Sequence, residues 1–316
     1  MKSLMRSLRS RATSRARWKS EFSHFFSFCT LLGQLTLLLL GSFCSFVIAG
    51  DPSVRASQRL VTQIPFKAYR TYFIVVDGRI GTLDHQNFLL DTGSNPSLID
   101  RNLVAKLELE STTGDLSAFN KSVASESVTL PDLQFGPVER HGLRVEVTDF
   151  SAISRGLGVR IDAVIGLDVL GGTNFSVDYS KGRLIFAALA QPNTARFASG
   201  SQFMIIDLKN GGRLFHLIVD SGAAHMVLFT DHLQDADYQW TTETGTGRNV
   251  VGTIPLRMLV LMQARIGTQE MGPLKALVAV SGKQIGSEID GLMALSCLRP
   301  TSISFDFEHG ILGWSD

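Results

Sequence analysis

The chain reads as an all-β protein built from two repeated halves. Three observations lead there. Short β-branched and aromatic runs recur between glycine, proline and polar turn residues, the pattern of many short strands. The stretch Phe88-Leu89-Leu90-Asp91-Thr92-Gly93-Ser94 has a counterpart in Leu217-Ile218-Val219-Asp220-Ser221-Gly222-Ala223. Later landmarks keep the same step: Asp220 lies 129 residues after Asp91, while Ala294 follows Gly166, Asp306 follows Asp178 and Gly310 follows Gly182 by 128 each. A register held over such a span is the mark of an internal duplication, and two copies are too few for a solenoid or propeller.

Before the first half stands a targeting segment, residues 1–49. Lys2, Arg6, Arg9, Arg11, Arg15, Arg17 and Lys19 face a single acid, Glu21, and Phe25 to Ala49 carries no charge. A basic start followed by an apolar run is the pattern of a secretory signal, and the run is also long enough for an uncleaved membrane anchor. Both alternatives put the rest of the chain outside the cytoplasm: periplasmic, extracellular or membrane-anchored, with the membrane touched only through this segment. Cys29 and Cys44 lie within it, so the body keeps only Cys297 and no internal disulfide is expected.

Residues 1–50 hold 7 of the 30 Lys and Arg and 1 of the 29 Asp and Glu, which leaves the body a net charge of −5. A mildly acidic body argues against nucleic acid as a partner. With 44% hydrophobic residues, each half has the material for its own core.

Residues 50–65 read as a tether, 66–189 as the N-terminal lobe, 190–201 as a linker and 202–316 as the C-terminal lobe. Tyr72 to Val76 predicts a strand, with Asp77-Gly78 as its hairpin turn. Phe88 to Leu90 carries the chain into Asp91, and Arg101 to Leu109 predicts a short helix. Val128 to Leu130, Leu133 to Phe135 and Leu143 to Val147 predict strands parted by proline and glycine. Ala163-Val164-Ile165-Gly166 is followed by the strand Phe175 to Tyr179 and its return at Arg183 to Phe186. The second half repeats the order: strand Phe203 to Ile206, turn Asn210-Gly211-Gly212, the Asp220 turn, Met226 to Leu228, Gly291 to Leu295 and Ile303 to Phe307.

Two strand-borne Asp-Thr/Ser-Gly turns in one chain, each with an apolar element ending in Gly166 or Ala294, resemble the aspartic peptidases. The single bilobal chain is similar to the pepsin arrangement. The short halves and the Asp-Ser-Gly-Ala form look more like retropepsin units, as in exported bacterial-type aspartyl proteases. The resemblance covers residues 66–316. It implies two retropepsin-like β-barrel lobes around an interlobe cleft, a peptide or protein substrate, and a monomer with pseudo-twofold lobes.

It also implies roles. Asp91 and Asp220 would be the catalytic carboxylates, sharing one proton because two close carboxylates resist joint ionisation. No metal and no cofactor is required. Gly93 and Gly222 would allow close packing and unusual dihedrals at the turns. Thr92 and Ser221 would bond across to the opposite turn. Ser94 could bond Asp91, whereas Ala223 cannot bond Asp220, so the carboxylates should be unequal. Gly166 fits the element packed beneath each turn; Ala294 departs from it, and its methyl is either tolerated there or presses on the second turn. Gly245, Gly247 and Gly252 mark a substrate-covering flap in the second half, with Ser117 to Ser127 as its counterpart in the first. His225 lacks partners at the spacing of a metal site or a triad. The alternative is a catalytically weak or inactive peptide-binding protein of the same fold, which rests on Ala223 and Ala294.

Overall fold

The computed structural model describes residues 61–118, 121–198, 202–249, 252–279 and 288–316. The expected targeting segment, with Cys29 and Cys44, lies outside them, as do the first eleven residues of the expected tether. Among the described residues no helix is long and apolar enough to cross a membrane.

The first lobe runs through β2 (Lys67–Tyr69), β3 (Phe73–Ile80), β4 (Leu83–Leu90), β5 (Leu98–Asp100), α1 (Arg101–Lys106), β6 (Ser111–Ala118), β7 (Lys121–Phe135), β8 (Val138–Thr148), α2 (Ser151–Leu157), β9 (Ala163–Ile165) and α3 (Leu167–Leu170), preceded by β1 (Gln63–Pro65). Its sheet order is β2-β3-β4-β9-β5-β8-β7-β6, and an extra β3–β7 pairing closes six of these strands into a ring. Closure removes free edges from the barrel core.

The two lobes share one topology. After β10 (Phe175–Asp178), β11 (Arg183–Ile185) and β12 (Asn193–Arg196) come β13 (Ile205–Asn210), β14 (Arg213–Asp220), β15 (Met226–Phe229), β16 (Tyr238–Asn249), β17 (Gly252–Ile266), β18 (Gln269–Ala279) and β19 (Gly291–Ala294). Their order, β13-β14-β19-β15-β18-β17-β16 with an extra β13–β17 pairing, is that of the first lobe from β3 onward, the edge strand β2 having no counterpart.

A third sheet joins the halves. With β20 (Ser302–Asp306) and β21 (Ile311–Ser315), its order is β1-β11-β10-β20-β21-β12. At its centre β10 and β20 run antiparallel, Ser176 against Ser304. The two buried hydroxyls bond at 3.0 Å, so residues one repeat step apart meet there. β1 uses residues of the expected tether and β12 residues of the expected linker; both pair as edge strands of this sheet.

Two local readings are corrected. Asp77 and Gly78 lie inside β3, and the turn falls at Gly81, where φ is +57°. Gly78 is there because the Phe88 ring lies against it: a Cβ would stand 2.1 Å from that ring. Val128–Leu130 and Leu133–Phe135 are one strand, β7. Pro131 is tolerated because the ladder is interrupted there, opposite Gly142 with φ +59°. Helix α2 carries no strong periodicity; its Ile153 and Leu157 cover an outer-face cluster of Phe73, Val75, Leu89 and Val164.

Candidate active site

Each Asp turn grows out of a buried parallel strand pair. β4 lies beside β9, and the Asp91 N–H donates to the Ile165 carbonyl at 2.9 Å. β14 lies beside β19 in the equivalent register, Asp220 opposite Ala294. Strands buried on both faces need continuous apolar runs, which is why Phe88 to Leu90 and Leu217 to Val219 precede the two acids. The chain then turns, with Gly93 N–H donating to Asp91 Oδ1 at 2.9 Å and Gly222 N–H to Asp220 Oδ1 at 2.8 Å.

The turns interlock. Thr92 N–H donates to Ser221 Oγ at 2.9 Å, and Ser221 N–H to Thr92 Oγ1 at 3.1 Å. Thr92 Oγ1 donates to the Val219 carbonyl and Ser221 Oγ to the Leu90 carbonyl, both at 2.8 Å. Both side chains are buried, so these four bonds tie each turn to the strand that carries the other.

The interlock brings the carboxyls of Asp91 and Asp220 into hydrogen-bond contact with each other. Gly93 and Gly222 are required by this approach and not by unusual dihedrals. A Cβ on Gly93 would stand 2.4 Å from Asp220 Cγ, and one on Gly222 2.5 Å from Asp91 Cγ, while neither has a positive φ. Both aspartates keep part of their surface open to solvent. Burial raises the pKa of each above the usual carboxylate value. For Asp91 this is offset by the Gly93 N–H, by the Asp220 carboxyl and by the Gly222 N–H. For Asp220 the negative charge of Asp91 and the bond to it add to burial, and its pKa lies well above the usual value.

The expected Ser94–Asp91 bond is absent. Ser94 Oγ donates instead to the Pro96 carbonyl at 2.9 Å, and its own carbonyl accepts the Leu167 N–H at 2.8 Å. The two carboxyls are unequal, but not through Ser94 and Ala223. Gly166 sits beneath the first turn as expected: a Cβ there would meet the Ser94 carbonyl oxygen at 2.5 Å. Ala294 takes its place in the second lobe with a different backbone, φ −70° and ψ 148° against −94° and −172°. The buried methyl is thus accommodated by local rotation, the tolerated one of the two outcomes open from the sequence.

The flap residues fall on two long hairpins. Ser117 to Ser127 spans the end of β6 and the start of β7, while Gly245 and Gly247 lie on β16 and Gly252 opens β17. The last pairs described in the two hairpins are Ala118 with Lys121 and Asn249 with Gly252, and residues 119–120 and 250–251 lie outside those described. No group of metal-ligating residues occurs among the described residues.

Sequence reading missed two sets of residues. Asp162 and Asp290 are buried acids at the same repeat step. Asp162 accepts the Asn87 N–H at 2.9 Å and Asp290 the His216 N–H at 2.7 Å, pinning β9 and β19 in place. The signal was present as Ile161-Asp162 and Ile289-Asp290 before the two apolar runs. The second set, Ser97 and Asp168, has no such signal, because Met226 and Ser296 stand at the repeat positions.

The profile of the aspartyl protease family matches residues 76–169. Among solved structures, the crystal structure of an aspartic proteinase from Irpex lacteus is similar over 81% of this chain and 97% of its own, at 13% identity and a TM-score of 0.49. No curated protein matches the sequence. The match covers the part of the first lobe that holds Asp91, Gly166 and the strands between them.

Proposed function

We propose that the chain is an exported aspartic endopeptidase that hydrolyses peptide bonds with water activated between Asp91 and Asp220. The observation that carries this reading is the carboxyl pair itself: two partly open aspartates in mutual contact, both with raised pKa values. One proton shared between them supplies a base and an acid at once. Each carboxyl accepts backbone N–H groups, but at Asp220 the negative charge of Asp91 adds to burial, so Asp91 takes the ionised role and Asp220 holds the proton. Asp91 takes a proton from a bound water, and the resulting hydroxide attacks the peptide carbonyl carbon. Asp220 donates its proton to the carbonyl oxygen. Collapse of the tetrahedral intermediate returns that proton to Asp220, while the proton on Asp91 passes to the leaving nitrogen. The pair ends in its starting state, with neither metal nor covalent intermediate.

Export rests on the basic residues 2–19 followed by the uncharged run Phe25 to Ala49. The substrate is a peptide or protein, and the chain acts as a monomer because both carboxylates come from one chain. The alternative of an inactive peptide-binding protein drew on Ala223 and Ala294; the backbone adjustment at Ala294 removes much of its support. The test is peptide-library cleavage by the full-length protein from acidic to neutral pH, with and without a statine-type inhibitor. Cleavage that the inhibitor suppresses is expected. No cleavage at any pH, or cleavage indifferent to the inhibitor, would contradict the proposal.

A further inference from the structure

We propose that Asp168 is a positioning residue, which through Ser97 clamps the turn that carries Asp91 and makes the two halves of the site unequally rigid. The inference rests on the peptidase reading above and goes beyond it by assigning a role to a residue outside the two Asp turns.

The clamp is a closed set of bonds. Ser97 Oγ donates to Asp168 Oδ1 at 2.6 Å, and Ser97 N–H donates to Asp168 Oδ2 at 3.0 Å, so one carboxylate holds one residue at two points. The Gly166 N–H donates to the same Ser97 Oγ at 2.9 Å. The Leu167 N–H then reaches back to the Ser94 carbonyl, and the Asp91 N–H to Ile165. Ser97 is 1% exposed, so its hydroxyl has no water to exchange with. The segment that leaves Asp91 is thereby fastened to the segment that passes beneath it.

The second lobe holds the same two backbone positions differently. Met226 stands where Ser97 stands, and Ser296, in the place of Asp168, turns its hydroxyl to the Ala224 carbonyl at 3.1 Å. The N–H groups of Met226 and Ala294 instead face the thiol of Cys297, which burial pushes up to about 11 and so keeps neutral. A neutral sulfur is a weak acceptor, whereas hydrogen bonds to a carboxylate are roughly twice as strong as neutral ones. The Asp91 turn is therefore fixed by a charged clamp and the Asp220 turn by a soft one. Both acceptor oxygens of Asp168 face donors, so an amide in its place loses at least one bond. The residue is exposed on its outer side, so that change leaves the core packing untouched.

The test uses the full-length protein and a peptide that the wild type cleaves. Asp168→Asn is expected to lower kcat by roughly 10–100-fold with KM within about twofold, since misplacement of about an ångström costs rate on that scale. Asp168→Asn combined with Ser97→Ala should be no worse than the worse single variant, because the two residues act as one unit. Asp84→Asn, an exposed carboxylate of the same lobe, should leave both constants unchanged. A rise in KM with kcat unchanged, or fully additive losses, would overturn the clamp. Carbon-13 titration of the aspartate carboxyls gives a second readout independent of turnover. Asp168→Asn should displace the titration of Asp91; an unmoved Asp91 would overturn the clamp. If the wild type cleaves nothing, the peptidase reading falls, and the titration still decides the clamp.

Discussion

Gly93 and Gly222 each lie against the carboxyl of the opposite turn, and that contact fixes what the site can tolerate. Gly166 is constrained in the same way by the Ser94 carbonyl, 2.5 Å from where a Cβ would stand. We expect Gly166→Ala to reduce turnover more than tenfold in steady-state assays, because backbone oxygen cannot move aside without shifting Asp91. Ala294→Gly should leave turnover within a few-fold of wild type, since the second lobe has already rebuilt its backbone around the methyl. The raised pKa of Asp220 has a consequence for stability. Its folded value lies above the unfolded one, so its contribution is fully present below about pH 4 and is lost as pH rises through the folded value. Asp220→Asn should therefore gain thermal stability over wild type as pH rises from about 4 to 7. Melting temperatures measured across that range check it, and a gap that widened toward acid would contradict it. At this scale the acids, Thr92 and Ser221 were legible because they recur at one step. Ser97 and Asp168 were not, because their contact joins residues 71 positions apart and has no copy in the second half.

Strand order within each lobe follows from which runs must be buried on both faces. Phe88 to Leu90 and Ala163 to Ile165 are continuous and apolar, and they lie side by side at the centre of the first barrel. Such runs were readable from sequence. The hairpins that turned out to be long, β6–β7 and β16–β17, were obscure because their polar residues show no period-2 alternation. Asp77-Gly78 misled for a different reason: glycine there makes room for a ring and does not mark a turn. Phe88 is fully buried, so Gly78→Ala forces either the ring or the strand to shift. Overpacking of this kind costs about 1–3 kcal/mol, and urea unfolding of the variant should show a loss in that range. A variant as stable as wild type would mean that the ring is free to move.

The halves meet in the sheet centred on Ser176 and Ser304 and at the Thr92–Ser221 interlock. The first contact places the lobes and the second aligns their acids, so the carboxyl pair depends on both halves being present in one chain. The repeat step made this arrangement legible, since equivalent residues that meet each other must sit one step apart. β1 and β12 were harder to see, as edge strands of three and four residues that draw their pairing from the joining sheet. The most direct test of a single site shared by two carboxylates is peptide cleavage by Asp91→Asn, by Asp220→Asn and by an equimolar mixture of the two. Each variant alone should lose at least a thousandfold in kcat/KM while keeping its melting transition, a loss of about 4 kcal/mol in transition-state stabilisation, and the mixture should recover nothing. Near-wild-type cleavage by either variant, or activity restored on mixing, would contradict the account.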